Sequence, residues 1–287
     1  MKDTERKNMI KREIQNKWSV IPQRDTSIHK QYLVLPAEKW EEFDPFLVMA
    51  EDNMKKGAFD HHPHRGIETV SYMIDGVLRH KDNQGNEGEL RKGDVQWMTA
   101  GKGILHIEEA LEDGFAHLLQ LWVNLPAEHK MVEPRYQEIF HADAPVRKEN
   151  GAEIKVISGS SGGVTSQTKN YAPVTMVEVV LQESHSIVQD FHADFNGFIY
   201  VIDGAGIFGA NKVAGKKNDV LWLTPSVENP SEVKLHATEP LLCVVIAGKP
   251  LREPVAAKGP FVMNTEEQIK QAFKDFREGK FGEWPQN

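Results

Sequence analysis

The chain has 287 residues, 40% of them hydrophobic and 26% charged, and a formal net charge of -8. That length supports two domains of ordinary size, each with its own core, and the acidic balance offers no general attraction to nucleic acid or anionic lipid. A single cysteine excludes an internal disulfide, and no stretch approaches the roughly 20 apolar residues of a membrane span.

Residues 1–17 are charged throughout and lack the apolar centre of a secretory signal, so they read as a solvated lead-in to a cytoplasmic protein. The first informative element is His62-Pro63-His64. Proline argues against a helix interior there, and in an extended segment positions i and i+2 share a face, so both imidazoles point the same way. His61 is one position off that alternation and is expected to point away. Residues 69–74 and 77–80 then read as two strands joined by a tight Asp75-Gly76 turn. Gly101-Lys102-Gly103 reads as a turn that leads into a second alternating pair, His106 and Glu108. Three imidazoles and one carboxylate aimed at a single point suit a divalent first-row ion such as Fe, Mn, Ni, Cu or Zn, and leave an octahedral ion two open positions. A closed four-coordinate zinc site that only stabilises the fold is the alternative. His80, His117, His129, His141, His185 and His236 stand alone and are not expected to bind metal. Gln120 is polar within an apolar strand, which suits either a group facing the cavity or a satisfied core amide.

The landmarks repeat. Tyr72, Ile74, Asp75 and Gly76 return as Tyr200, Ile202, Asp203 and Gly204, and Asp94, Trp97 and Thr99 return as Asp219, Trp222 and Thr224. Such a repeat, with many short strands between Gly, Asp and Asn turns, predicts an all-β protein built from a duplicated sandwich or barrel. Trp97 and Trp222, being equivalent, are expected in the two cores. At the positions of His62, His64, His106 and Glu108 the second copy has Asp190, His192, Ser231 and Val233, so a metal site is expected in the first copy only. The predicted division is an N-terminal domain over 1–135, a linker over 136–170 with a flexible 158–163 loop, and a C-terminal domain over 171–287. Cys243 falls in an apolar run that reads as a buried strand. Thr265 and Gln268 form a capping box, and Ile269, Phe273 and Phe276 follow at helical spacing before Gly279.

The strings His62 to Tyr72, Gly93 to His106, Leu119 to Leu125, Met131 to Tyr136 and Gly259 to Thr265 closely resemble the pirin family of the cupin superfamily. The resemblance implies a bicupin: two β-barrels, of the double-stranded β-helix type, face to face, with a short C-terminal helix. It also implies one mononuclear metal in the N-terminal barrel, Fe(II) first, on His62, His64, His106 and Glu108. The first motif of ordinary cupins, His-x-His-x3-Glu-x6-Gly, is met by Glu68, while Gly76 arrives one residue late. Glu68 is therefore an alternate ligand or a supporting group, and beside Glu108 it is a candidate catalytic carboxylate.

Two activities are implied by the resemblance: a metal-dependent dioxygenase opening a flavonol such as quercetin with O2, and a redox-sensitive regulator of a protein partner such as a transcription factor or metabolic enzyme. The first fits a small polyphenolic substrate, with Phe59 and Leu78 assigned to the apolar wall of its pocket and Gln120 to its polar side.

Overall fold

The computed structural model describes residues 9–111, 114–227 and 230–284. Two all-β units are present, and neither is a continuous stretch: residues 9–20 fold with 143–250, and 21–142 fold with 251–284. The first and last described segments thus belong to the unit opposite the one their sequence position suggests. The expected boundaries at 135 and 170 differ for this reason, and the C-terminal helix belongs with the unit that carries His62.

The N-terminal lead-in is a pair of edge strands. β1 (Ile10–Lys11) runs parallel to 231–232, and β2 (Ile14–Ser19) pairs antiparallel with 219–223. Lys17 on β2 suits an edge, where a charge blocks pairing with other chains, while Ile14 faces the core. The remainder of that stretch, residues 1–8, lies outside the described residues.

The unit with both histidine pairs contains β3 (Pro22–Asp25), β4 (His29–Leu35), β5 (Phe46–Met54), β6 (His62–His64), β7 (Ile67–Asp82), β8 (Glu87–Arg91), β9 (Val95–Thr99), β10 (Ile104–Ala110), β11 (Ala116–Asn124) and β12 (Arg135–Ile139). One layer has the order β12-β9-β7-β11-β5-β4-β3, and β6, β10 and β8 form the other with the far half of β7. Asp75-Gly76 is therefore not a hairpin turn. It is the corner at which β7 passes from one layer to the other, opposite a register shift in β11. The corner needs a positive φ, 79° at Gly76, and a Cβ there would lie 2.1 Å from the carbonyl oxygen of Phe115. Its repeat equivalent, Gly204, has the same φ and the same tight approach, to Pro240.

In the second unit, β13 (Val146–Glu149), β14 (Ala152–Ser158), β15 (Ser160–Ser161), β16 (Val164–Thr165), β17 (Val174–Leu181), β18 (Ser186–Phe191), β19 (Asn196–Asp203), β20 (Ala205–Phe208), β21 (Val213–Lys216), β22 (Asp219–Leu223), β23 (Ser231–Ala237) and β24 (Leu241–Gly248) follow. The predicted linker is thus mostly sheet, and the glycine-serine stretch is the hairpin β15-β16. Alternate inward residues of both layers, including Val177, Val179, Leu235, Cys243 and Val245, fill this unit with apolar side chains. Trp97 and Trp222 are both buried, as their equivalence predicts.

The chain then returns to the first unit as β25 (Ala256–Lys258), β26 (Phe261–Met263) and α1 (Glu266–Arg277). The capping box forms as expected: Thr265 Oγ1 accepts from the Gln268 amide, and Gln268 Oε1 accepts from the Thr265 amide. Ile269 and Ala272 are buried with Phe261 and Phe281, whereas Phe276 sits at the exposed edge of that face.

Candidate metal centre

Alternation and register bring the two histidine pairs together. β6 and β10 are antiparallel neighbours, with His62 opposite His106 and His64 opposite Ile104. The His62 and His106 Nε2 atoms are 3.0 Å apart, and one nitrogen from each of His62, His64 and His106 lies within 4.8 Å of the others. The Asp60 carbonyl accepts from His62 Nδ1 at 2.8 Å, which fixes the proton on Nδ1 and leaves the Nε2 lone pair facing His106. Burial, together with the neighbouring His62, holds His64 down to about 3, and burial with the surrounding histidines holds His106 well below its ordinary value. Both rings are therefore neutral, the form that binds metal.

Glu108 approaches from the same strand, and a prepared row of side chains receives it. Across the large layer, Leu33, Ala50, Gln120, Ser71 and Gln96 stand opposite one another in successive register pairs. The polar half of that row converges on the carboxylate: Ser71 Oγ lies 2.8 Å from Glu108 Oε1, and Gln96 Nε2 donates to the same oxygen at 2.9 Å. Ser71 Oγ is also 2.8 Å from the Gln120 side-chain amide. A hydroxyl has one proton, so Ser71 donates to Glu108 when the Gln120 amide is turned to donate to Ser71. Glu108 Oε2 takes neither of these two bonds, and Glu108 lines the cavity with His62 and His64.

The expected ligands fall in two triads that share His106, one with His62 and His64, the other with Glu108 and His80. Glu108 is grouped with His106 and His80 within 4.8 Å, not with His62 and His64. His80 was not expected here. It stands directly opposite Glu108 in the β7–β10 register, is fully buried, stacks on Tyr136 at 4.5 Å and approaches Asp82 at 3.4 Å. Two signals were missed: Asp82 stands two residues from His80 on its own strand, an alternating pair of the same kind, and register across β7 and β10 sets His80 opposite Glu108.

The donor set fits a divalent ion. Neighbouring ligands at right angles, each about 2.1 Å from a metal, are separated by about 3 Å, which is the spacing of the His62 and His106 nitrogens. The buried Nδ1 atoms of His64 and His106 have no hydrogen-bond partner among the described residues.

Other expected site residues divide. Phe59 and Gln120 line a cavity of about 380 Å³ whose other walls include Leu118 and Trp122, and which opens onto His62, His64 and Glu108. Leu78 does not line it; it is fully buried among Met54, Met73 and Leu90, one layer behind the wall. Glu68 is on the opposite face of β7 from Ser71, three positions away, where it accepts from Thr99 Oγ1 at 2.7 Å and lies 3.8 Å from Arg135. It belongs to neither triad. His61 is exposed against Trp284, as alternation predicts.

The repeat equivalents do something else. Ser231, in place of His106, accepts from Arg12 Nε at 2.8 Å, and Val233, in place of Glu108, is buried in the apolar core. Arg12 also donates to the Thr224 and Phe195 carbonyls, and burial pushes its guanidinium down to about 10. Asp190 accepts from the Gly162 amide, and His192 is exposed.

The family model for pirin matches residues 22–123, and the model for the pirin C-terminal cupin domain matches 176–282. Human pirin is 42% identical over 247 residues, which are 83% of this chain and 83% of that protein. The chain belongs to the pirin family. Its two all-β units make it a bicupin, although the residues after 250, which the C-terminal family model includes, fold with the pirin unit bearing the histidines. Among solved structures, GK1651 from Geobacillus kaustophilus is 46% identical with a TM-score of 0.85, covering 86% of this chain and 100% of that one. A quercetin 2,3-dioxygenase from Acinetobacter baumannii is 29% identical with a TM-score of 0.84, covering 95% and 99%. Among the described residues of this pirin-family chain, no helix is long and apolar enough to cross a membrane.

Proposed function

We propose that the chain is a metal-dependent dioxygenase that opens a flavonol such as quercetin with O2. The observation that carries this reading is the placement of three imidazoles and a tethered carboxylate beside a cavity with largely apolar walls. Likeness to a quercetin 2,3-dioxygenase supports it. One divalent ion, Fe(II) first and Mn, Ni, Cu or Zn otherwise, would be held by His62, His64, His106 and Glu108. When bound, such an ion supplies Lewis acidity that favours the ionised hydroxyl of a hydroxy-ketone.

The chain's own residues do the rest. Phe59, Leu118 and Trp122 offer flat or apolar surface to aromatic rings and exclude water from them. Glu108 Oε2 is the atom placed to take the hydroxyl proton, because Oε1 is occupied by Ser71 and Gln96. Ser71 and Gln96 hold that carboxylate in one orientation, and Gln120 holds Ser71. The overall change adds both atoms of O2 to the flavonol and releases one carbon as carbon monoxide. Oxygen uptake and carbon monoxide release with quercetin test the proposal directly. Failure of iron-, manganese-, copper- and nickel-loaded protein to consume oxygen with any flavonol would overturn it, and redox-dependent capture of one cellular protein by the same samples would favour the regulator.

A further inference from the structure

The inward face of β5 reads Val48, Ala50, Asp52, Met54. A carboxylate in such a row is costly unless it is held for a purpose, and Asp52 is only 3% exposed. Its partners are well defined. Asp52 Oδ1 lies 2.6 Å from His29 Nε2 and accepts from Gln31 Nε2 at 2.9 Å. Arg24 Nη1 is 3.1 Å from His29 Nδ1, and a guanidinium can only donate, so the His29 proton is on Nε2 and is given to Asp52. Both bonds fall on Oδ1; Oδ2 takes neither.

Asp52 and Gln31 line the same cavity as His62, His64 and Glu108. Gln120 stands opposite Ala50, two residues from Asp52, so Asp52 is one inward position along from the row that holds Glu108, about 7 Å at strand spacing. Phe59 lies between the two polar ends, its ring 5.0 Å from that of His29 and 6.3 Å from that of His62.

We propose that Asp52, fixed by His29 and Gln31, is a second polar contact for the bound ligand, accepting a hydrogen bond from a hydroxyl on the ring farthest from the histidines. The site then prefers polyphenols that carry a hydroxyl at that end. This inference rests on the flavonol reading above and adds to it the feature of the substrate that is selected.

The test is anaerobic binding of galangin, which lacks hydroxyls on its pendant ring, and of quercetin, which has two, to nickel-loaded protein followed by tryptophan quenching. The wild type is expected to bind quercetin about tenfold more tightly, the scale of a hydrogen bond to a charged acceptor. Asp52→Ala is expected to bring the ratio near one while metal content and galangin affinity hold. Asp52→Asn, which keeps the shape and so guards against misfolding, is expected to reduce the ratio as well. A quercetin preference that persists in both variants would overturn this inference alone. If neither flavonol binds the loaded wild type, the flavonol reading falls and this inference falls with it.

Discussion

Arg65 and Asp275 are 210 residues apart in sequence and joined at 2.8 Å, both nearly buried. Arg65 follows His64 directly. Its Nε donates to the Lys102 carbonyl at 2.6 Å, and its guanidinium lies 4.5 Å over the Phe281 ring. The chain's last helix thereby grips the segment that carries two candidate ligands. Asp275→Ala leaves the guanidinium with one carbonyl and one ring face, so a loss of about 3 kcal/mol in urea unfolding is expected, the low end for breaking a buried pair. Metal retention should weaken in the same variant.

The same pair sets a pH dependence. Burial alone would raise the Asp275 carboxyl, but hydrogen bonds from Arg65, Lys280 and Gln271 outweigh it and hold the group down to about 2. Its native value lies below its unfolded value, so its contribution is fully present above about pH 4 and is lost as the pH falls toward 2. Acid titration of stability should show a slope in that window that flattens in Asp275→Asn. An unchanged slope would remove Asp275 from the acid response.

The candidate ligands were legible because alternation is local: His62 with His64, and His106 with Glu108, each share a face whatever the rest of the fold does. Asp75-Gly76 was misread as a hairpin turn because a turn and a strand corner place the same demand on glycine, a positive φ. The capping box located α1, but the apolar spacing of Ile269 and Phe273 says only that a face is buried, not against which unit. The approach of His80 to Glu108 and the His29–Asp52 pair were missed because these contacts lie across strands, where register decides contact. A charge on the inward face of β5 was the available signal for Asp52.

Ser71 and Gln96 form no part of the ligand set, yet both hold Glu108 Oε1. Removing such supporting partners typically costs about 10- to 100-fold in metal affinity. Ser71→Ala is expected to fall in that range in a competition titration with a coloured chelator, and Ser71→Ala with Gln96→Leu should lose more than either alone. Wild-type affinity in the double variant would show that Glu108 needs no such support.

One ion per chain is expected in the pirin unit that bears the histidines, and its removal should be readable as stability. A ligand that binds only the native state raises stability by an amount set by its concentration relative to Kd, about 2.7 kcal/mol at a hundredfold excess. Adding metal to the stripped wild type should therefore raise Tm, while stripped His64→Ala and His106→Ala should show little shift and retain little metal by elemental analysis. A second equivalent bound near His192 would contradict the replacement of His106 and Glu108 by Ser231 and Val233.

The pH dependence of Glu108→Gln separates holding an ion from moving a proton. The amide keeps an oxygen that can accept from Ser71 and Gln96, so the side chain stays in its row, but the group replacing Oε2 is an NH2 that cannot accept a proton. Loss of a positioned base typically costs about 10²- to 10⁴-fold. At metal concentrations that saturate the variant, oxygen uptake with quercetin should fall by that order, and the drop should shrink as the pH rises and the flavonol hydroxyl ionises in solution before it binds. A deficit that stays constant across the hydroxyl's titration would place the role of Glu108 in coordination alone.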